Sequence, residues 1–214
     1  MRGVGMRLAL AMAGMVALAG PAAAHPHVFM ETVLEILRDE GGRAAAIRVT
    51  WTYDPFFSLV LLSERGMDPD GDGALTGAET AALQGFDMGW EPGFAGDTYA
   101  FAGADEVALS RPRDGVARVE AGQIVSSHTR DLARPVAGLL VVRNYDPTYY
   151  TQYTINEVRA EGCAVEIVAP DLTEAERALQ AELALLPADA DVEVGFPEVG
   201  AAFAQEVRVT CGAS

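Results

Sequence analysis

The sequence predicts an α+β fold: an antiparallel β-sheet or sandwich that carries a helix-loop-helix insertion and a C-terminal helix. Three observations predict it. Short runs with every second residue apolar recur along the chain, separated by Gly, Pro and Asp. Two other segments, Phe56 to Arg65 and Leu172 to Leu186, place apolar residues at helical spacing. Beyond the N-terminal segment, no stretch approaches the ~20 apolar residues that a membrane-crossing helix requires.

Residues 1–24 read as a secretory leader. Arg2 and Arg7 supply positive charge without an acid, Leu8 to Leu18 is apolar, and Ala22-Ala23-Ala24 closes the segment with small residues. Cleavage there would start the mature chain at His25-Pro26-His27 and leave about 190 residues, enough for a single domain over 25–214. Losing the two arginines takes the net charge from −16 to about −18. Such a surface disfavours nucleic acid and anionic lipid and favours cations and basic partners. Cys163 and Cys211 are the only cysteines, and in an exported chain a disulfide between them is the default. Their wide spacing lacks the C-x-x-C pairing of thiolate metal sites.

The mature chain opens with a predicted hairpin, His27 to Arg38 and Ala46 to Tyr53, turned at Asp39 to Gly42. Asp54-Pro55 ends the second strand and starts the helix from Phe56 to Arg65. After an acidic loop, Thr76 to Phe86 reads as a short exit helix, so the helix-loop-helix segment spans 56–86. Asp87 to Gly96, with three glycines and a proline, is loop. Strands are predicted around Thr98 to Phe101, Glu106 to Ser110, Val116 to Ala121, Gln123 to His128, Gly138 to Tyr145 and Cys163 to Val168. Pro170-Asp171 opens the C-terminal helix and Pro187 follows its end. Val199 to Ala204 reads as one more helical turn, and Glu206 to Cys211 as the closing strand.

The acidic loop runs Asp68-Pro-Asp70-Gly-Asp72-Gly73-Ala74-Leu75-Thr76-Gly-Ala-Glu79. It places acids at positions 1, 3, 5 and 12 of the twelve-residue EF-hand pattern, with glycine at position 6, where the chain turns sharply. Calcium seeks six to eight oxygens. Asp68, Asp70, Asp72, the Ala74 carbonyl, a water held near Thr76 and a bidentate Glu79 would supply them. Leu75 would anchor the loop to the core. An acidic surface turn is the competing reading of the same residues.

Of the three histidines, His25 and His27 stand two apart, and along a strand such residues share a face. The freed α-amine of His25 would add a third nitrogen. Pro26 has no N–H, so copper binding through deprotonated amides is excluded, and an imidazole-plus-amine chelate for zinc, copper, nickel or cobalt remains. Exposed terminal histidines without a ligand are the alternative. His128, in Ser126-Ser127-His128-Thr129, is either a further ligand or an ordinary polar residue. Tyr53-Asp54-Pro55-Phe56-Phe57 and Tyr145-Asp146-Pro147-Thr148-Tyr149-Tyr150 echo one another as Asp-Pro turns flanked by aromatics; a carboxylate facing the histidines is the other reading. No Gly-rich phosphate loop, Gly-x-Ser-x-Gly or His-Glu-x-x-His occurs, so no enzyme activity is expected.

Five blocks together resemble a bacterial family known as domain of unknown function 1007. They are Ala24-His25-Pro26-His27-Val28-Phe29, the segment Val49 to Ser58, the Asp68 to Glu79 loop, Tyr145 to Tyr150, and Val207-Arg208-Val209-Thr210-Cys211. The resemblance implies a periplasmic protein, labelled as a component of an uncharacterised ABC-type transport system. It further implies an accessory role beside nickel, cobalt or zinc transporters, with an inner-membrane metal transporter or permease as partner. Two other functions are carried as alternatives: a solute-binding component of an ABC transporter, and a copper oxidase built on the His25 chelate.

Overall fold

The computed structural model describes residues 26–187 and 196–212. The predicted leader, 1–24, and His25 lie outside them. The opening hairpin forms as β1 (Val28–Arg38) and β2 (Ala44–Tyr53), in antiparallel register from Met30 opposite Tyr53 to Leu37 opposite Ala46. Alternation explains it: Val28, Met30, Thr32, Leu34 and Ile36 of β1 are all buried. Two helices follow, α1 (Pro55–Glu64) and α2 (Gly77–Leu83), and then β3 (Thr98–Ala102) and the two-residue β4 (Asp105–Glu106). A second hairpin, β5 (Arg113–Glu120) and β6 (Gln123–Val136), leads into β7 (Gly138–Asn144). The chain ends with β8 (Thr151–Arg159), β9 (Cys163–Val168), α3 (Leu172–Leu183), the single turn α4 (Gly200–Phe203) and β10 (Glu206–Cys211).

The strands form two five-stranded sheets, ordered β5-β6-β2-β1-β8 and β4-β3-β7-β10-β9. One hydrophobic cluster draws on both, with Leu34, Ile47, Val49 and Ile124 from the first and Leu140, Val142, Val207 and Val209 from the second. The α+β expectation is therefore corrected. Strands hold 44 % of the described residues and helices 18 %, and the molecule is a sheet-rich β fold. The predicted helix-loop-helix (EF-hand) insertion is not a helical layer of its own, because each helix packs on a strand of the first sheet and α2, Gly77–Leu83, is short and alanine-rich. Helix α1 lies on β6 and α2 on β5, and α2 buries only Leu83. The C-terminal helix is present but buries only Ala175.

Two further differences concern strands. Thr151–Arg159 carries no predicted strand, yet β8 pairs with β1, and it does so in parallel, which makes the first sheet mixed. Its alternation rests on just two buried residues, Tyr153 and Ile155. On the strand's other side the Gln205 side chain accepts the Ile155 N–H at 2.6 Å and donates to the Ile155 carbonyl, blunting what would be an open edge. The strand expected at Glu106 to Ser110 shrinks to β4 and a single bridge between Leu109 and Leu132.

The disulfide forms between Cys163 and Cys211, directly opposed where β9 meets β10. It closes 48 residues of chain that include α3. A loop of that length corresponds to about 4 kcal/mol in the chain-entropy picture. Replacing both cysteines by alanine should lower the unfolding free energy by about 2–4 kcal/mol in urea titration. A loss below about 0.5 kcal/mol would show that β9 is held by its ladder alone.

Candidate functional site

The acidic loop joins α1 to α2. The carboxylate oxygens of Asp68, Asp70 and Asp72 come within 4.8 Å of one another, the one such group of three or more potential ligands among the described residues. The backbone curls around them: Asp68, Gly71 and Gly73 take φ of 52°, 68° and 78°, a region that glycine enters without strain. Asp68 accepts the amides of Asp72 and Gly73, each at 3.1 Å, and Asp72 accepts that of Ala74 at 2.8 Å. Glu79 ties the two ends together. One of its oxygens takes the Asp68 amide at 3.1 Å, and the other takes the Thr76 amide at 2.8 Å and hydroxyl at 2.7 Å. Thr76 in return accepts the Glu79 amide, completing a capping box at the start of α2. The Thr76 hydroxyl and amide hold the Glu79 carboxyl below its ordinary range. A hard cation fits this donor set, since every side-chain donor is oxygen and three of the side chains are carboxylates that already converge.

His27 and His128 are not brought together. His27 is exposed just before β1, its amide donating to the Tyr150 carbonyl at 2.9 Å and its ring 4.8 Å from the Tyr150 ring. His128 lies on β6, opposite Val49, which in turn faces Leu34 on β1. Leu34 is seven residues beyond His27, a separation of about 23 Å along the strand. His128 therefore cannot complete a chelate with His27. The two Asp-Pro carboxylates are turn residues. Asp54 accepts the amides of Phe57 and Phe29, capping α1 and fastening β1, and Asp146 accepts those of Thr148 and Thr151.

What the sequence reading missed is a polar layer buried between the sheets. Thr32, Trp51 and Ser126 stand in one row across β1, β2 and β6, with His128 next along β6. Thr32 Oγ1, Trp51 Nε1 and both His128 ring nitrogens are buried without a hydrogen-bond partner. The His128 ring packs at steep angles to Trp51 and Trp90, with centroids 4.8 and 5.3 Å away. Arg130, two residues on, is buried too. It donates to the carbonyls of Ala95, Thr98 and Ser110 and lies 4.9 Å from the Trp90 centroid. Asp97, beside it, accepts the Tyr153 hydroxyl at 2.8 Å. The signal for this layer was present as parity: Ser126, His128 and Arg130 share the face of Ile124, which is wholly buried.

Burial moves the two titrating groups of this layer in opposite senses. His128 drops to about 4, through desolvation and then the Arg130 charge. Asp97 rises to about 7, through desolvation that the Tyr153 hydrogen bond only partly offsets. From about pH 4 to 6.5 the folded chain holds a proton on Asp97 and none on His128, and an unfolded chain holds the reverse. The proton counts match, so the two contributions to the pH slope cancel. Asp97→Asn should leave the His128 contribution alone, and stability should then fall on acidification from pH 6.5 to 4, by at most about 1.4 kcal/mol per unit relative to the parent. His128→Gln should shift the slope the other way. Urea titrations at pH 4.5 and 6.5 measure both, and identical slopes in the three proteins would refute the assignment.

No curated protein and no solved structure matches the chain. A family sequence model does, over residues 10–211, and its description is "protein of unknown function". That span takes in both sheets, the acidic loop and the disulfide, and the chain belongs to the family known as domain of unknown function 1007.

Proposed function

We propose that this chain is an exported metal-binding protein in which a calcium ion, held by the loop from Asp68 to Glu79, fixes one end of a β scaffold. The convergence of Asp68, Asp70 and Asp72 carries the reading. Calcium would take those three carboxylates, the Ala74 carbonyl, a water near Thr76 and, once it turns from its capping position, Glu79. The ion would neutralise acids that otherwise repel one another in a strongly acidic chain. The disulfide fits an oxidising compartment, and no helix among the described residues is long and apolar enough to cross a membrane. Calcium at about 100 times its dissociation constant should stabilise the fold by about 2.7 kcal/mol, read as a rise in Tm that a chelator reverses. Asp70→Asn with Asp72→Asn should abolish the rise. An equal rise in that variant would sink the calcium assignment.

The role we infer for the scaffold is that of a periplasmic accessory to an inner-membrane transporter of nickel, cobalt or zinc. It rests on the family resemblance and on the exposed position of His27, next to the segment that bears His25. The binding group would be the His25 amine and ring with the His27 ring, without His128. Protein carrying its native N-terminus should bind zinc, copper or nickel tightly, and His25→Ala with His27→Ala should weaken this by about 100-fold or more. Unchanged affinity in the double variant would remove the accessory role while leaving the calcium site standing.

A further inference from the structure

The loop that follows α2 concentrates aromatic and acidic side chains. Phe86, Asp87, Trp90, Glu91 and Phe94, with Gly89, line a shallow, open cleft of about 390 Å³. Among the described residues no cationic side chain lines it. Trp90 and Phe94 meet edge to face, their centroids 5.4 Å apart and their planes at 78°, so the cleft has half-exposed Phe94 as a wall and largely buried Trp90 as its floor.

These surfaces are fixed in advance of any ligand. The Trp90 indole N–H donates to the Asp87 carbonyl at 2.6 Å, and the ring rests against His128. Gly96, at φ +63°, makes room for it, because a Cβ there would stand 2.2 Å from the indole. Phe94 stays half-exposed. The Asp87 carboxyl is poised at the inner end. Burial pushes its pKa up, and the nearby Ser126 and Tyr53 hydroxyls, which favour the ionised form, offset this only in part.

Aromatic faces attract cations, and two rings of this loop already do so toward the protein. Arg65 lies 5.4 Å from the Phe86 centroid and Arg130 4.9 Å from that of Trp90. An anion entering the cleft would meet two carboxylates. A neutral apolar molecule would strip water from them without return, and a hard metal ion would leave the rings unused. We propose that the cleft binds a small organic ammonium compound, its cationic head against Trp90 and Phe94 and its charge answered by Asp87 and Glu91. The net charge of −16 raises the local concentration of such cations. The site shares no residue with the acidic loop or with the N-terminal histidines, so it stands or falls apart from the metal reading.

Choline and its uncharged isostere 3,3-dimethylbutan-1-ol separate charge from shape. With two tryptophans, the protein gives two indole N–H resonances, and that of Trp90 reports the cleft. In the full chain with saturating calcium, choline should shift the Trp90 resonance saturably, with a dissociation constant in the millimolar range or tighter. The isostere should need about tenfold more, the difference that one cation–π contact makes. Asp87→Asn should weaken choline by about tenfold. Phe94→Ala should do the same, and because Phe94 is half-exposed this variant should keep the parent's Tm. Equal binding of choline and isostere would overturn the proposal, as would the absence of a saturable shift up to about 50 mM choline.

Discussion

Two sheets closing over an inner layer that is only partly apolar is the constraint on which this molecule turns. Around Leu34, Ile47, Val49, Leu140, Val207 and Val209 the closure is ordinary hydrophobic burial. Around Trp51, His128, Arg130 and Asp97 it is not, because these polar groups lose water, and Trp51 Nε1 and both His128 ring nitrogens recover no hydrogen bond. The chain answers locally. Arg130 is held by backbone carbonyls, Asp97 takes the Tyr153 hydroxyl, and His128 stays neutral between two indoles. That layer also supports the loop from Phe86 to Phe94 from beneath, since Trp90 stands on His128 and Arg130. The outer cleft and the inner polar row are thus two sides of the same indole.

The acidic loop depends on the scaffold differently. Its geometry is set by contacts within a few residues, chiefly Asp68 to Gly73 and Glu79 back to Asp68 and Thr76. The sheets supply only its footing, through α1 on β6 and α2 on β5. Disturbing the loop should therefore loosen one end of the molecule and leave the polar layer as it is.

This contrast explains what could be read from the sequence and what could not. The clustering of Asp68, Asp70 and Asp72 was legible because it is local and its spacing is strict. The hairpin of β1 and β2 was legible from alternation, and the disulfide from two cysteines in a chain that reads as exported. Strand β8 was not, because Tyr153 and Ile155 alone carry its period and its parallel partner lies at the other end of the sequence. The α+β expectation failed because helical spacing near residue 60 says nothing about what the helix packs on. The link from His128 to Trp90 was hidden for a related reason, since it joins a central strand to a loop 38 residues earlier that no periodicity marks. Parity along β6 pointed inward, but nothing local told His128 apart from a metal ligand.

The place of β1 in its sheet bears on the order of events in folding. Val28 pairs with Thr151, 123 residues downstream, and β1 lies between that late strand and β2. A hairpin of β1 and β2 alone is marginal in water, so the first sheet cannot be completed until about three quarters of the chain is available. A protein that emerges from a ribosome or a membrane channel N-terminus first would spend that interval with β1 paired on one side only. For the exported chain proposed above this delay is useful, because a narrow export channel passes an extended polypeptide more readily than a closed sandwich. The same delay leaves the unpaired edge of β1 open to other chains, and Glu31 and Glu35, spaced along it, place charge where such pairing would start.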